Sequence, residues 1–263
     1  MAVSIKVLSF LVAAVLAALA GAGSSAAEIK VMISGGMTAA YKELTPVFEQ
    51  RTGHTVSTAY GPSMGTTVNA IPVRLARGEE ADVLIMVKEA LVQLIEQGKA
   101  DAATRLDLVR SPIGVAVRAG AAKPDISTPN ALRDALLAAK SVAYSDSASG
   151  VYVESQLFKR LGIEDQMKGK ARMIPAEPVA SVVARGEAEL GFQQISELVP
   201  ITGADVLGPI PAELQKITIF SAALTTGAKS ADAGKALIAY LAGADAGSTL
   251  KKSGLDPIQA AAQ

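Results

Sequence analysis

Short strand-like apolar segments alternate with helical patterns along almost all of this 263-residue chain. EIKVMIS at 28–34 and ADVLIM at 81–86 are typical of buried strands, and a segment with helical periodicity follows each of them. Strands that alternate with helices in this way predict parallel sheets whose faces are covered by helices. The sequence therefore predicts an α/β protein.

A repeated unit predicts that the chain forms two such lobes. Residues 75–86 (LARGEEADVLIM) and 183–192 (VARGEAELGF) both read as a helix end, Ala-Arg-Gly, an acidic pair and a buried strand. The sequence Arg-Gly-Glu is also common at the C-terminal ends of surface helices, so the prediction depends on the matching positions of the two units along the chain. Each unit follows a strand, a Ser/Gly turn and at least one helix. We predict two similar lobes, each a mostly parallel sheet flanked by helices.

The first 27 residues have the composition of a secretion signal. Lys6 precedes an apolar stretch at 7–20, and small residues lead to Ala27, which fits cleavage after that alanine. The alternative is a retained membrane anchor, but the apolar stretch is short for a membrane span and no basic stop signal follows it. We therefore expect a cleaved signal peptide at 1–27 and a periplasmic protein.

Charge and cysteine content exclude two classes of protein. The chain has 25 basic and 25 acidic residues, and this balance does not fit a nucleic-acid-binding protein. Because the chain has no cysteine, it can form no disulfide and cannot carry a lipid anchor on cysteine. A chain of this length can bury enough apolar surface to be stable without disulfides.

Three Ser/Gly turns suggest an anion-binding site. They are Ser34-Gly35-Gly36, the segment 61–65 (GPSMG) and the segment 147–150 (SASG), and each lies between a strand end and a helix start. Ligands of parallel sheets bind beyond the carboxyl ends of the strands, where helix N-termini present free amides. Serine is also a common helix cap and glycine a common loop residue, so a single turn would carry little weight. Three turns together predict a shared anion site, although none matches a P-loop or a dinucleotide-binding motif.

Several longer segments identify a family resemblance. The segments are VMISGGMTAAYKEL (31–44), GPSMGTTVNAI (61–71), RGEEADVLIM (77–86), LVQLIEQGKA (91–100), SGVYVESQLFKRLGI (149–163) and AEPVASVVARGEAELGFQQISEL (176–198). With these segments the chain resembles the type II periplasmic solute-binding proteins of ABC importers, and in particular the molybdate-binding-protein family. The resemblance implies a two-lobed, Venus-flytrap α/β fold.

The resemblance also implies where the lobes begin and end. We expect the first lobe to hold residues 28–110 and 223–263 and the second lobe to hold residues 111–222. The chain would cross between the lobes near 110–115 and again near 217–222. Ligand binding in the cleft would favour closure of the two lobes.

Ligand contacts can be transferred from the family to matching positions. The resemblance implies ligand contacts at Gly36 with Ser34, at Ser63 with one residue of slack to Met64, and at Ser149, Val179 and Gln194. Gly35, Met37 and Gly150, which belong to or adjoin the Ser/Gly turns, complete the predicted site. The family has serine where this chain has Gly36 and tyrosine where it has Gln194, and its third turn is longer. These departures favour a larger, less symmetric anion, and we expect an organic acid, a di- or tricarboxylate such as aconitate. Molybdate or tungstate is the alternative.

Two cations and two methionines are further candidates for ligand contact. Arg110 and Lys88 could bind a carboxylate, or could instead be solvated or brace the hinge. Met37 and Met64 could form an adaptable apolar wall for an organic ligand.

No catalytic motif is present in the sequence. A serine hydrolase would need a histidine or lysine beside its nucleophile, but Gly-x-Ser-x-Gly is absent and His54, the single histidine, lies away from the Ser/Gly turns. One histidine without cysteine makes no zinc site. We therefore expect no enzyme, no catalytic residue, no metal and no cofactor. The expected partners are a small anionic ligand and an ABC permease in the inner membrane; we expect a monomer and no nucleic acid.

Overall fold

The computed structural model describes residues 26–258, which form two sheets flanked by helices. Nearly all of the predicted signal peptide, and residues 259–263, lie outside the described residues. Between residues 26 and 258, no helix has the length and apolar character needed to cross a membrane.

The chain alternates strands and helices, as the sequence predicts. The strands are β1 (Glu28–Ile33), β2 (Thr55–Tyr60), β3 (Val83–Val87), β4 (Leu106–Ser111), β5 (Ile113–Arg118), β6 (Val142–Ser145), β7 (Ala171–Ile174), β8 (Leu190–Gln194), β9 (Ala204–Pro209), β10 (Thr218–Leu224) and β11 (Asp256–Pro257). The helices are α1 (Gly35–Thr52), α2 (Ile71–Ala76), α3 (Lys88–Glu96), α4 (Pro129–Ala138), α5 (Ala148–Tyr152), α6 (Phe158–Arg160), α7 (Glu164–Met167), α8 (Val179–Ala184), α9 (Ile195–Leu198), α10 (Ala231–Ala242) and α11 (Gly247–Lys252). A π-helical turn, Val153–Leu157, joins α5 to α6.

The two sheets share one plan. The first has the order β11-β4-β10-β3-β1-β2 and the second the order β7-β6-β8-β5-β9. In each sheet three strands are parallel, namely β2, β1 and β3 in the first and β7, β6 and β8 in the second. The strands β3 and β8, which carry the repeated sequence unit, therefore occupy equivalent positions.

Antiparallel strands complete each sheet, so the sheets are mixed rather than mostly parallel. Strands β10, β4 and β11 in the first sheet and β5 and β9 in the second run against their neighbours. Antiparallel strands occur where the chain crosses between the sheets, because it passes directly from β4 in one sheet to β5 in the other and later returns through β10. Sequence alternation alone does not reveal the direction of these crossing strands.

Each lobe has its own apolar core. In the first, Ile33 of β1 packs with Tyr41 and Phe48 of α1, and all three side chains are almost fully buried. In the second, Tyr144 of β6 and Phe192 of β8 belong to the core cluster that also includes residues of α4 and of the α5–α6 segment. Burial of one such side chain contributes about 1.5–3 kcal/mol, so two separate cores support two lobes.

Two helices differ from the sequence prediction. The sequence pattern predicts a helix over 38–52 that Pro46 kinks or interrupts, but helix α1 begins at Gly35 and continues through Pro46 without a break. Pro46 lies on the exposed side of α1, where water can satisfy the carbonyl group that loses its amide partner. The sequence pattern also predicts a helix over 66–77, but only the short helix α2 forms there. The residues before α2 form a loop in which Gly61 packs directly on the carbonyl of Asn69.

Candidate functional site

A cavity of 510 Å³ lies between the two lobes. The first lobe lines it with the ends of β1, β2 and β3, the start of α1 and one residue of β10. The second lobe contributes the turn after β6, the loop before α8, the end of β8 and helix α9. The parallel strands of both sheets thus end at the cavity, as expected for a ligand site of an α/β fold.

The first Ser/Gly turn presents free amides to the cavity. Ser34 precedes the 18-residue helix α1 in an extended conformation, and its side chain does not cap the helix. Within residues 26–258 the amides of Gly35 and Gly36 donate no hydrogen bond. Unpaired amides at the start of a long helix favour a negative charge, so this turn can hold a carboxylate or an oxyanion.

A serine pair supports this turn. The Ser63 hydroxyl donates to the Ser34 hydroxyl at 2.7 Å and accepts from the Val87 amide at 2.9 Å. The proton of the Ser34 hydroxyl therefore remains for another acceptor. Both serines line the cavity and are buried, which fits the prediction that the first two turns meet.

Gly35 and Gly36 are glycines because two side chains approach their backbone. A Cβ at Gly35 would overlap the carboxylate of Glu197, and a Cβ at Gly36 would overlap the ring of Phe220. Glycine in place of the family's serine predicts more room for a ligand at Gly36, but the structure shows no such room. The Phe220 ring fills that space and forms an apolar wall of the cavity.

Glu197 lines the cavity and has a carboxyl group whose pKa is strongly raised. It lies on α9 of the second lobe and reaches the start of α1 in the first lobe. Burial between the lobes raises the pKa of its carboxyl from 4.5 to about 7; the nearby Gln193 amide opposes this rise, and Asp146 adds to it. Near neutral pH this carboxyl is present in both protonation states, which suits proton transfer.

The third turn forms a cluster of hydroxyls. Ser145 and Ser147 hydroxyls are 2.8 Å apart, and Ser145 and Ser149 hydroxyls are 3.0 Å apart. Ser147 lines the cavity, whereas Ser149 and Gly150 are buried behind it. Gly150 packs directly on the carbonyl of Ser145, where a Cβ would overlap that carbonyl.

Gln194 joins the two segments that connect the lobes. In the orientation that satisfies both sides of its amide, Nε2 donates to the carbonyls of Ser111 (2.9 Å) and Pro112 (3.1 Å). Its Oε1 accepts from the Thr218 hydroxyl at 2.8 Å. Gln194 borders the cavity and is buried, but its amide is satisfied by the hinge.

Other predicted site residues do not reach the cavity. Arg110 is exposed on β4, and Lys88 pairs with Asp107 at 2.7 Å. Met37 is buried in the core of the first lobe, and the Val179 amide donates to Gln193 Oε1 at 2.9 Å. The predicted residues that the structure brings to the cavity are Ser34, Gly35, Gly36, Ser63, Met64 and Gln194.

The sequence comparisons assign the family. The family described as "Bacterial extracellular solute-binding protein" matches residues 29–256. The chain belongs to this family. A solute-binding protein of this family acts outside the cytoplasm, binds a small ligand and delivers it to an ABC permease.

Individual relatives are similar to this chain over most of its length. An aconitate isomerase from Pseudomonas sp. is 49% identical over 232 residues, which cover 88% of this chain and 88% of that protein. The molybdate-binding protein ModA of Azotobacter vinelandii is 27% identical over 94% of this chain and 97% of its own. The solved structure of the A. vinelandii periplasmic molybdate-binding protein has a TM-score of 0.69 at 21% identity, covering 88% of this chain and 100% of that one. The predicted type II, two-lobed α/β fold of the molybdate-binding-like class is confirmed.

The expectation that the chain is no enzyme is wrong. It is contradicted by the relative that is 49% identical over most of both chains, because that relative is named as an isomerase. The hydrolase motifs considered above concern nucleophilic catalysis alone. Their absence says nothing about proton transfer by a single carboxyl group, which has no sequence motif.

Sequence reasoning also missed charged residues of this solute-binding cleft. Among the described residues that line the cavity, Lys42 is the only lysine or arginine, and its ammonium lies 5.0 Å from the centre of the Tyr60 ring. Glu197 was missed as well, although it follows the end of β8 by three residues, where the strand-end argument applies. No cluster of three or more potential metal-ligating His, Cys, Asp or Glu side chains occurs between residues 26 and 258.

Proposed function

We propose that this solute-binding protein is a periplasmic aconitate isomerase, which binds aconitate between its lobes and interconverts the cis and trans isomers. The observation that carries this proposal is the 49% identity to an aconitate isomerase over 88% of both chains. An alignment of that extent includes both lobes, and therefore both walls of the cleft.

The reaction requires only a proton transfer. Aconitate is a six-carbon tricarboxylate in which a methylene group lies next to a carbon–carbon double bond. Removal of a methylene proton and return of a proton to the far alkene carbon moves the double bond by one position. The connectivity is unchanged, and the new double bond can have the other geometry. No oxidant, reductant or added water is needed, so an acid–base group and sites for negative charge suffice.

The cleft offers sites for the charges of such a substrate. Its volume of 510 Å³ lies within the usual range of small-molecule sites. On one wall are the free amides at the start of α1 and the hydroxyls of Ser34 and Ser63. Ser147 lies on the opposite wall and Lys42 also lines the cavity, so three separated carboxylates can find separate partners.

The Phe220 ring supports an organic substrate rather than a small inorganic oxyanion. It covers the backbone at Gly36, where the resemblance to molybdate-binding proteins implies a serine hydroxyl. An apolar face fits the carbon skeleton of aconitate but offers nothing to a tetrahedral oxyanion. Molybdate and tungstate remain the comparison ligands for the test.

The proposal includes the location and arrangement of the chain. Residues 1–27 would direct export and be removed after Ala27, and the mature protein would act as a monomer. The first lobe would comprise 28–110 and 223–263, the second 111–222, with the crossings serving as the hinge. Gln194, which joins both crossings, would then affect closure rather than contact the ligand.

A second candidate is capture of the anion for import without chemistry. The family match and the two-lobed cleft favour it, because this fold delivers solutes to ABC permeases. The two candidates differ in one measurable property, which is turnover.

The test follows turnover and binding by the same preparation. Purified protein comprising residues 28–263 is incubated with cis-aconitate or with trans-aconitate, and both isomers are followed by proton NMR. The proposal predicts the same final ratio of isomers from either side, at a rate proportional to protein concentration. Saturable binding of aconitate without conversion would favour import. A thermal shift with molybdate or tungstate and none with aconitate would overturn both the reaction and the organic ligand.

A further inference from the structure

We propose that Glu197 is the catalytic residue of this cleft and moves the proton between the two carbons of aconitate. This inference rests on the proposed isomerase function. It assigns a role to a carboxyl group that neither the family resemblance nor the comparisons single out.

The position of Glu197 is set by both lobes. Helix α9 belongs to the second lobe, yet the Glu197 carboxylate lies against Gly35 at the start of α1 in the first lobe. The free amides of Gly35 and Gly36 form an anion site in the cavity. A substrate carboxylate that bound at these amides would bring its neighbouring carbon close to Glu197, as proton abstraction requires.

The other carboxyl groups of the cavity are already engaged. Glu177 pairs with Arg185 through two contacts of 3.1 and 3.2 Å, and Asp146 accepts from the Ala176 amide at 3.0 Å. These contacts already occupy the Glu177 and Asp146 carboxylates. No salt bridge among the described residues involves Glu197, so its carboxyl is available for proton exchange.

The groups that face Glu197 keep it ready to gain or lose a proton. They are the Gln193 amide and the more distant Asp146 from the second lobe, and the start of α1 from the first lobe. Burial raises its pKa to about 7, close to the pH at which the protein would work. A group with this pKa can act first as a base and then as an acid in one catalytic cycle.

The proposed step balances without a co-reactant. The Glu197 carboxylate takes a proton from the methylene carbon, and the electron pair of that C–H bond forms a new double bond to the central carbon. The electrons of the original double bond move to the far alkene carbon and its carboxylate. Glu197, whose carboxyl proton can exchange with water between the two steps, then delivers a proton to that far carbon. Amides at a helix start stabilise the negative charge that develops on a substrate carboxylate.

The test compares Glu197→Gln with wild type and with a matched control, Glu164→Gln, at an exposed glutamate of the same lobe. Each protein is assayed for conversion of cis-aconitate in D₂O, for deuterium incorporation into the carbon skeleton, and for aconitate binding by calorimetry. We expect Glu197→Gln to lose about 100-fold or more in kcat and in deuterium incorporation, with binding changed by less than about fivefold. The control should match wild type in all three measurements.

A second variant addresses folding and the pH profile. Glu197→Asp keeps the carboxyl on a shorter side chain, and we expect slower turnover that still depends on ionisation of one group. In wild type, kcat/KM should rise with pH through about 7, and the residual activity of Glu197→Gln should lack that rise.

The outcomes separate the two proposals. No conversion by wild type would overturn the isomerase function, and with it this assignment. Conversion by wild type together with wild-type turnover in Glu197→Gln would overturn the assignment alone. Equal loss of binding and turnover in that variant would also overturn it, because Glu197 would then hold the substrate rather than move the proton.

Discussion

Replacement of Glu197 by glutamine should make the ligand-free protein more stable at alkaline pH. The carboxyl has a pKa raised by burial from 4.5 to about 7, so the folded protein binds this proton more tightly than the unfolded chain does. Ionisation of Glu197 therefore destabilises the folded state. The penalty is absent below about pH 4.5, grows between pH 4.5 and 7, and is constant above that range. A glutamine of the same shape carries no charge and avoids the penalty.

The size of this effect follows from the pKa. At 1.36 kcal/mol per pKa unit, the shift corresponds to an upper limit of about 3 kcal/mol. The side chain is not fully buried and the lobes can open, so solvent screens part of this cost and we expect about 1–2 kcal/mol. For a protein of this size, that difference raises Tm by about 2–8 °C.

The assay is thermal unfolding followed by circular dichroism at pH 5, 6, 7 and 8. The expected result is a Tm difference between Glu197→Gln and wild type that is small at pH 5 and largest at pH 8. The control Glu164→Gln should show no such trend. A Tm difference independent of pH, or a less stable Glu197→Gln at pH 8, would refute the reasoning that the ionised carboxyl is poorly solvated in the cleft.

Three further substitutions test the packing and the hinge. Gly36→Ala places a methyl group against the Phe220 ring and should lower the free energy of unfolding in urea by about 1–3 kcal/mol. The loss should be smaller in a Phe220→Leu background, since the smaller side chain relieves the overlap. Additive losses for the two substitutions would contradict this contact. Asp82→Ala removes a buried carboxylate that accepts hydrogen bonds from three backbone amides at 2.6–2.9 Å, and it should lower the free energy of unfolding by about 2–4 kcal/mol. The same substitution at an exposed aspartate should lower it much less. Gln194→Leu should lower stability by about 1–3 kcal/mol but weaken aconitate binding by less than about tenfold, because its amide bonds the hinge; a larger loss of affinity would place Gln194 at the ligand.

The plan of the fold could be predicted because it depends on local patterns. The repeated unit around Arg77 and Arg185 led to two lobes, and β3 and β8 do occupy equivalent places. Strands β4 and β9 were not predicted, since LDLVRS and ADVLGP are weakly apolar and their pairing comes from neighbours distant in sequence. The loop before α2 was taken for helix because its turn depends on Gly61 meeting Asn69, a tertiary contact.

The site was only partly predictable for a similar reason. The start of α1 follows from a local strand–turn–helix pattern, and the structure brings Ser34 and Ser63 together there. The contact of Glu197 with Gly35 forms between two lobes, so no local pattern reveals it. The expectation of no enzyme failed on the same point, because a carboxyl group becomes a proton-transfer group through its surroundings rather than through a motif.

The most direct test of the account is a crystal structure of the Glu197→Gln variant grown with saturating cis-aconitate. The account predicts the tricarboxylate in the cavity between the lobes, with one carboxylate within hydrogen-bond distance of the Gly35 and Gly36 amides. The methylene carbon should lie about 3–3.5 Å from the substituted side chain. An empty cleft, or aconitate bound elsewhere while the cleft stays closed, would contradict the central claim that this cavity binds and isomerises aconitate.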